Sequence, residues 1–290
     1  MLPKRCILNA DDFGRSRSVN EAIIKAHTEG QLTSCSLMVS GDAFEEAVRS
    51  AQEHPALGVG LHVVLVCGKS VLPASEIPHL ANIPGSLSAN PVTAGLRYFF
   101  SPAAKQEVRR EIEAQLEKFL AANLPCSHVD SHFHMHMHPA VFDIVLEAAE
   151  GFGIKRLRLP NEEVLLHLRF SRRWPPILTA AMYKLLYRRN VKRARDRGFI
   201  FAERVYGLFQ TNRLDEAYLG ALLRHLGGQT NEIYCHPDTA TERGKIELQA
   251  LLSPNITETV AQMQLKLTNY TELEAPPPGT MSRRRGGKGG

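Results

Sequence analysis

The stretch Arg5-Cys-Ile-Leu-Asn-Ala-Asp-Asp-Phe-Gly14 combines an apolar strand pattern with two adjacent acids at its end. Its first six residues predict a buried strand that ends at Asp11 and Asp12. The segment Ser18-Val-Asn-Glu21 then matches the capping box that begins a helix, and Gly30 is suited to end that helix in a left-handed conformation. A buried strand followed by a helix predicts a parallel α/β fold with crossover helices.

The alternation of strand and helix patterns continues along the chain. Further strands are predicted at residues 33–40, 57–66, 127–133, 156–159 and 232–235, and helices at residues 44–53, 105–122 and 139–151, the last with Pro139 in its first position. Proline, glycine and serine dominate residues 67–104, which are predicted to form a long loop. We expect the strands to close into a (β/α) barrel, and an open doubly wound sheet is the alternative.

Composition and charge exclude several classes of protein. The chain has 290 residues, of which 43% are hydrophobic and 22% are charged, so a disordered chain, a collagen-like repeat and a coiled-coil rod are excluded. The formal net charge is +5, and most of it comes from four basic residues, Arg283, Arg284, Arg285 and Lys288. The remaining chain is nearly neutral, which argues against a nucleic-acid partner.

The cysteines and the N-terminal segment indicate a cytoplasmic protein. The five cysteines are scattered and form no Cys-x-x-Cys, which is typical of reduced thiols. Asp11 and Asp12 interrupt the N-terminal apolar stretch, so it does not match the core of a signal peptide. No window of the sequence approaches the ~20 apolar residues of a membrane span.

We predict one domain over residues 1–270, a helical insert at about residues 165–204, and a disordered tail rich in Pro, Gly and Arg over residues 271–290. Within the insert, residues 177–187 show an apolar helical pattern between basic residues. This pattern predicts a helix that contacts a membrane surface, which would place the protein at the inner face of the membrane. The alternative is a helix packed on the barrel with a charged outer face. A homodimer is the oligomeric state that we consider.

Acids and imidazoles cluster at the predicted carboxyl ends of strands. These residues are Asp11, Asp12, His62, His132, His134 and His236. The carboxyl ends of parallel strands share one face, so we expect these side chains to meet at one mouth. Taken alone, either aspartate could cap a turn and His62 could be a core residue.

Four histidines alternate through His132-Phe-His-Met-His-Met-His138. On a strand this spacing places them on one face and directs Phe133 at the covering helices. We expect one or two of them to bind a metal and the others to contact substrate or solvent. Asp11 and Asp12 point to opposite faces of an extended strand, so a bend at residues 13–14 is needed for both to reach one site.

Two histidines and a carboxylate are a common catalytic metal arrangement. A bound metal acidifies water and polarises a carbonyl group. A second carboxylate then takes a proton from the water, and a separate imidazole protonates the leaving group. Hydrolysis of an amide or an ester is the predicted reaction class.

Several motifs resemble the YdjC-like family, the ChbG/HpnK carbohydrate deacetylases. They are Asn9–Gly14, Thr33-Ser34, Gly58–His62, His128–His134, Arg156–Pro160 and Tyr234–Pro237, in the expected order from about residue 5 to 240. The resemblance implies a distorted (β/α) barrel of the polysaccharide-deacetylase-like type, with removal of N-acetyl groups from amino sugars. It also implies one divalent metal ion. Ligand chemistry favours zinc for that ion, whereas members of the family are often assigned magnesium.

The resemblance also implies a role for each residue at the mouth. Asp12, His62 and His132 correspond to the metal ligands. Asp11 corresponds to the general base, and His236 to the general acid or the group that stabilises the oxyanion. His134 and Arg158 are expected to contact substrate; orientation of Asp11 and a surface salt bridge are the alternatives for Arg158.

The predicted function is therefore a metal-dependent hydrolase that removes an N-acetyl group from an N-acetylglucosamine-containing glycan or glycolipid. The insert at residues 165–204 favours the branch of the family that acts on an acetylglucosaminyl hopanoid. A metal-dependent phosphoesterase and a non-catalytic glycan-binding barrel are the alternatives, the first because a His-x-His strand also suits multinuclear phosphate chemistry.

Overall fold

The computed structural model describes residues 3–83, 85–171 and 177–274. Most of the predicted tail, residues 275–290, lies outside the described residues, as do residues 172–176 of the insert. The predicted boundary at residue 270 is wrong, because Thr271 and Glu272 belong to a 3-10 helix and Leu273 is buried. In the described part of the chain, every helix is too short or too polar to cross a membrane.

The strands and helices alternate as predicted over most of the chain. The strands are β1 (Arg5–Phe13), β2 (Ser34–Leu37), β3 (Gly58–Val63), β4 (Ala81–Ile83), β5 (Ser86–Leu87), β6 (Val129–Ser131), β7 (Arg204–Tyr206), β8 (Thr230–Cys235) and β9 (Lys266–Leu267). The helices are α1 (Arg17–Thr28), α2 (Phe44–Glu53), α3 (Pro91–Phe100), α4 (Pro102–Ala121), α5 (Phe142–Gly151), α6 (Val164–Phe170), α7 (Ile177–Asp196), α8 (Glu216–Arg224), α9 (Glu242–Leu252) and α10 (Pro254–Gln262). The short strands β7 and β9 were not predicted.

One parallel sheet runs in the order β6-β3-β2-β1-β8-β7, and β9 pairs with β1. Sequence order advances in one direction around this sheet and does not reverse, as it would in a doubly wound sheet. Two single parallel bridges, Val129 to Leu157 and Arg156 to Ile200, continue the sheet beyond β6. The distorted (β/α) barrel is therefore confirmed, although the strand predicted at residues 156–159 is reduced to these two bridges.

The turn after β1 differs from its prediction in two details. Helix α1 is capped by Ser16, whose hydroxyl accepts from the Val19 N–H at 3.4 Å, and not by Ser18. The helix ends at Glu29 with ordinary right-handed angles, so Gly30 is not a left-handed cap. A left-handed residue is needed earlier, at Gly14 (φ +86°), where the chain turns away from β1.

The segment predicted as a long loop, residues 67–104, holds the β4–β5 hairpin, helix α3 and the start of α4. Two buried carboxylates of α4 fix its irregular parts. Glu111 accepts from the Val71 N–H at 2.8 Å, and Glu107 accepts from the His79 N–H at 2.8 Å. Helix α5 begins at Phe142, so Pro139 is not its first residue.

Gly60 of β3 lies against the ring of His128 on the neighbouring strand segment. A Cβ at this position would overlap the ring, and the ring has little room to move. Ser127 and Ser36 hold its two nitrogens at 2.8 and 3.2 Å, and Tyr270 stacks on it at 4.3 Å between centroids. The small residue at position 60 thus makes room for a side chain of the neighbouring strand segment.

We predict that Gly60→Ala lowers the free energy of unfolding by roughly 1–3 kcal/mol, because overpacking forces the fixed imidazole to shift. Urea unfolding of the two proteins measures the change. The control is Gly151→Ala, where the added Cβ has no neighbour within 4 Å in the described structure. Equal loss of stability in both variants would contradict this account.

Candidate active site

The carboxyl end of β1 brings two consecutive aspartates into one cleft. The pairing of β1 with β2 shifts register between Ala10 and Phe13, and Asp12 has a left-handed backbone angle (φ 69°). This irregularity lets Asp11 and Asp12 both line the cleft, although neighbouring strand residues normally face opposite ways. The bend was predicted at residues 13–14 and begins one residue earlier.

The histidine-rich segment does not continue β6 as a strand. Residues 132–137 form a 3-10 segment in which Phe133 and His134 have φ values of 54° and 51°. The predicted alternation therefore ends at His132. His132 and His134 both line the cleft. Phe133 is 54% exposed at the edge of the cleft, so the prediction that it faces the covering helices is wrong.

The other two histidines of the segment have structural roles. His136 donates to the Arg158 carbonyl at 3.0 Å and accepts from the Ser131 hydroxyl at 2.7 Å. Burial lowers the pKa of His136 to about 4, so this ring is neutral. His138 packs edge-on against Phe99 at 6.3 Å between ring centroids. Two of the four histidines thus reach the cleft.

Three potential metal ligands converge at the base of the cleft. Asp12 Oδ1 lies 3.0 Å from His132 Nδ1 and 3.4 Å from His62 Nε2. This buried oxygen accepts no hydrogen bond from the described residues. One carboxylate oxygen and two imidazole nitrogens are a donor set that suits a divalent transition metal. The residues that were predicted as ligands therefore fit a metal ion.

The charges around His62 also favour a cation. Asp130 Oδ1 lies 2.7 Å from His62 Nδ1 and fixes the orientation of the ring. Burial by itself lowers the pKa of His62, but Asp130 and Asp12 outweigh burial and raise it to about 10. The two carboxylates thus require a positive charge between them, which a metal ion supplies in place of the proton.

A second group of potential ligands, Asp11, His62 and Asp130, lies within the same small region. Both of its carboxylates are already paired with a guanidinium. Arg158 donates to Asp11 and lies 2.6 Å from Asp130 Oδ2. The set Asp12, His62 and His132 is consequently the better metal site.

Arg158 lies beneath the site and contacts three carboxylates. It donates two hydrogen bonds of 2.8 Å to Asp11 and one of 2.8 Å to Glu232, in addition to its contact with Asp130. Its side chain has no exposed surface and does not line the cleft. Both the predicted substrate contact and the alternative of a surface salt bridge are therefore wrong, and the alternative in which Arg158 orients Asp11 agrees with the geometry.

Asp11 and His236 face each other across the cleft. His236 Nε2 lies 3.8 Å from Asp11 Oδ2, and Asn9 donates to Asp11 Oδ1 at 2.9 Å. Glu247 accepts from the His236 backbone N–H at 2.5 Å, whereas His236 Nδ1 has no partner among the described residues. One carboxylate and one imidazole are thus close enough together to contact the same small group of a substrate.

The cleft has a volume of about 310 Å³. His134 Nε2 lies 2.9 Å from the Tyr234 hydroxyl on one wall, and Tyr183 and Leu208 form another part of the lining. Burial, followed by the charge of Arg158, holds the pKa of His134 well below its usual value. A neutral His134 on the wall remains available as a hydrogen-bonding group for a polar substrate.

The sequence model of the YdjC-like protein family matches residues 5–262. The chain belongs to this YdjC-like family. Its sequence is 33% identical to a carbohydrate deacetylase of Geobacillus stearothermophilus, over 94% of this chain and 99% of that protein. It is 28% identical to a chitooligosaccharide deacetylase of Serratia marcescens, over 94% of this chain and 100% of that protein.

A solved structure shares the fold of this YdjC-like chain. It is a protein of Enterococcus faecalis V583 that is described provisionally as a cellobiose-phosphate cleavage protein. The two structures superpose with a TM-score of 0.71 at 24% sequence identity, over 93% of this chain and 98% of that chain. The likeness supports the barrel architecture.

Three residues of the YdjC-like site received no role from the sequence. Asp130 holds His62, Glu232 holds Arg158, and Tyr270 donates to Glu232 at 2.5 Å. The first two are acids inside predicted buried strands, and a buried acid requires a partner, so a signal was present. Tyr270 reaches the network from the C-terminal segment, for which the local sequence holds no indication.

We predict that Arg158→Gln lowers the free energy of unfolding by roughly 3–5 kcal/mol, because it leaves buried carboxylates without their counter-charge. Chemical unfolding monitored by circular dichroism checks this value. Arg17→Gln removes an arginine that is 79% exposed and is the control, with an expected change of at most about 0.5 kcal/mol. A small loss for Arg158→Gln would show that the network is not essential to the fold.

Proposed function

We propose that this chain is a metal-dependent hydrolase that removes the N-acetyl group from an N-acetylglucosamine unit of a glycan or glycolipid. The observation that carries the proposal is the buried convergence of Asp12, His62 and His132, with Asp11 and His236 beside them in one cleft. The carbohydrate and chitooligosaccharide deacetylases that align over nearly their whole length support an N-acetylated sugar as the substrate class.

Asp12, His62 and His132 would hold the metal ion. A bound divalent cation polarises the amide carbonyl and makes water more acidic. We propose zinc, because two imidazole nitrogens suit zinc better than magnesium, which prefers oxygen ligands.

Asp11 and His236 carry the proton transfers in this proposal. Asp11 takes a proton from water as the water oxygen bonds to the acetyl carbon, and Arg158 and Asn9 hold its carboxylate in place. His236 either gives a proton to the amine nitrogen as the C–N bond breaks or stabilises the developing oxyanion. The products are acetate and the free amino sugar.

The phosphoesterase alternative loses the observation that favoured it. A His-x-His strand would direct two imidazoles to one metal cluster, but the chain turns at Phe133, and His134 pairs with Tyr234. The second group of potential ligands is occupied by Arg158. The non-catalytic glycan-binding barrel is tested by the activity measurement below.

The insert supports a glycolipid as the substrate. On α7, Leu178, Met182 and Leu185 follow one another at helical spacing and are 86%, 49% and 68% exposed. Basic residues flank them, and of these Arg188 and Lys192 are exposed. An apolar stripe beside positive charges is suited to a membrane surface with anionic lipids.

Helix α3 also has exposed apolar side chains. Phe100 is 75% exposed and Val92 is 71% exposed. Phe99 of α3 contacts His138, and Arg189 of α7 donates to the adjacent Pro139 carbonyl at 3.2 Å, so the two helices flank one turn beside the cleft. We propose that the surface of these two helices docks on the inner face of the membrane and that the enzyme acts there on an acetylglucosaminyl lipid, of which a hopanoid is one example.

The cytoplasmic location belongs to the same proposal. The single domain with its insert, and a disordered tail beyond residue 274, are likewise proposed from the sequence. The homodimer and the expected absence of a nucleic-acid partner stay predictions.

We predict that the purified protein releases acetate from N-acetylglucosamine oligosaccharides or glycolipids and that removal of metal by a chelator stops the reaction. Asp11→Asn is expected to lower kcat by about 100- to 10,000-fold, because it removes the proton acceptor, while one metal ion per chain is still bound. Asp12→Ala is expected to lose both metal and activity. An acetate assay measures the activity, and elemental analysis measures the metal bound per chain.

His138→Ala is the matched control for these variants, since His138 belongs to the same histidine segment but packs against α3. It should keep both metal and activity. Equal background activity in the wild type and Asp11→Asn would favour the non-catalytic barrel, and release of phosphate without acetate would favour the phosphoesterase.

We also predict that the protein binds anionic liposomes. The double variant Leu178→Asp, Leu185→Asp is expected to bind at least about tenfold more weakly, because the contacts that the two leucines would make with the membrane interior are lost. Liposome sedimentation measures the affinity. Met263→Asp is the control, because Met263 is 41% exposed near the start of β1, at the opposite end of the sheet. Equal sedimentation of all three proteins would rule out membrane docking by α7.

A further inference from the structure

A second cavity of about 530 Å³ lies beneath the insert, a volume typical of ligand pockets. Its walls are mostly apolar and include Val164, Leu165, Ile177, Ala180, Ala181 and Phe209. Tyr183 and Leu208 line both this cavity and the catalytic cleft. The two spaces therefore lie side by side and share part of their lining.

Glu162 is a buried acid on the wall of this second cavity. It is 9% exposed, and its Oε2 accepts from the Gly207 and Phe209 N–H groups at 3.2 and 3.1 Å. Its Oε1 has no hydrogen-bond partner in the described part of the chain. Burial raises the pKa of Glu162 to about 7. An unpaired buried oxygen is costly, so a donor from a ligand would stabilise it.

Lys184 adds a positive charge to the lining, and two other polar groups of the wall are already paired. Asn161 donates to the Glu203 carbonyl at 3.0 Å, and Glu163 Oε2 accepts from the Tyr206 hydroxyl at 3.0 Å. Glu162 Oε1 is thus the buried acceptor that this wall offers to a ligand.

We infer that the second cavity binds the group attached to the reacting sugar, and that Glu162 Oε1 accepts a hydrogen bond from a hydroxyl or ammonium group on it. The inference rests on the proposed function in one respect, that the reacting sugar occupies the catalytic cleft. The mostly apolar walls favour an attached group that is largely apolar apart from this donor. The donor belongs either to a lipid-like aglycone or to a second sugar.

Glu162→Gln separates ligand binding from a purely structural role. The glutamine oxygen can still accept from Gly207 and Phe209, whose amides share one oxygen in the wild type. The amide nitrogen replaces Oε1 and changes an acceptor into a donor. Glu163→Gln is the matched control on the same wall, because the side-chain oxygen that pairs with Tyr206 can be retained.

The experiment uses methyl, octyl and 8-hydroxyoctyl glycosides of N-acetylglucosamine, together with N,N'-diacetylchitobiose, as substrates for the metal-loaded enzyme. The corresponding glucosamine glycosides, which carry no acetyl group, are probes for binding by calorimetry. At about pH 8, where Glu162 is ionised, the wild type is expected to bind the 8-hydroxyoctyl glycoside at least about tenfold more tightly than the octyl glycoside, because the added hydroxyl donates to a charged carboxylate.

In Glu162→Gln the preference for the 8-hydroxyoctyl over the octyl glycoside should disappear. The kcat and KM of this variant for the methyl glycoside should stay unchanged. Glu163→Gln should behave like the wild type. A higher KM for chitobiose in Glu162→Gln would also support the site and would identify the donor as a sugar hydroxyl. Unchanged binding of both long glycosides and unchanged KM for chitobiose in Glu162→Gln would overturn the inference. So would an equal loss with all substrates, which would indicate a role in holding residues 207–209 alone.

Failure of the proposed function gives a different result. If the wild type releases no acetate from any of these substrates, the deacetylase proposal fails. The calorimetric comparison of the two long glycosides still decides whether the second cavity binds an apolar group with a donor.

Discussion

The guanidinium of Arg158 is the positive charge on which the buried site depends. It contacts Asp11, Asp130 and Glu232, which come from three different strands of the barrel. Burial alone would lower the pKa of Arg158, but these three carboxylates outweigh burial and hold it well above its ordinary value. Without that charge the interior would hold carboxylates that must either take up protons or rearrange. The same contacts orient the proposed base, Asp11, and, through Asp130, the proposed metal ligand His62. One buried side chain therefore determines the positions of both the proposed base and the proposed metal ligand His62.

Left-handed backbone angles at the strand ends complete the site. Asp12, Phe133 and His134 have φ values between 51° and 69°, a conformation that is unfavourable for residues other than glycine. At Asp12 this angle aims a second carboxylate of one strand into the cleft. At residues 133–134 it turns the chain so that His132 and His134 line the cleft while His136 turns back to Arg158. Such backbone strain persists when the surroundings compensate for it, and it is concentrated at functional sites. Here the compensation comes from the buried hydrogen bonds beneath the cleft.

The sequence was sufficient to predict the barrel and the residues that meet at its mouth, because strand patterns and the shared carboxyl ends of parallel strands are local and general properties. Asp12, His62 and His132 were found in this way. Phe133 was misplaced because a period of two holds only while the strand lasts, and β6 ends at Ser131, whereas His134 still lines the cleft. For Arg158 the sequence left three roles open, a substrate contact, the orientation of Asp11 and a surface salt bridge, because its burial depends on three acids that are remote in the chain. The hairpin and helix within residues 67–104 were missed because they are short and rich in proline and glycine, and much of their order comes from two acids of α4.

The insert and the barrel contribute two different kinds of side chain to the neighbouring cavities. The barrel provides buried charges, whose positions tolerate little change because each is paired with another. The insert provides apolar walls, and polar side chains farther along α7, among them Asn190 and Arg193, hold it to the barrel. Packing of apolar groups is tolerant of substitution, whereas a buried charge network is not. A change in the cavity-lining residues of α6 or α7 can therefore alter the group that is proposed to lie beside the reacting sugar without moving Asp12, His62 or His132. Substrate choice in this fold is consequently expected to depend on the insert, and the reaction itself on the strand ends.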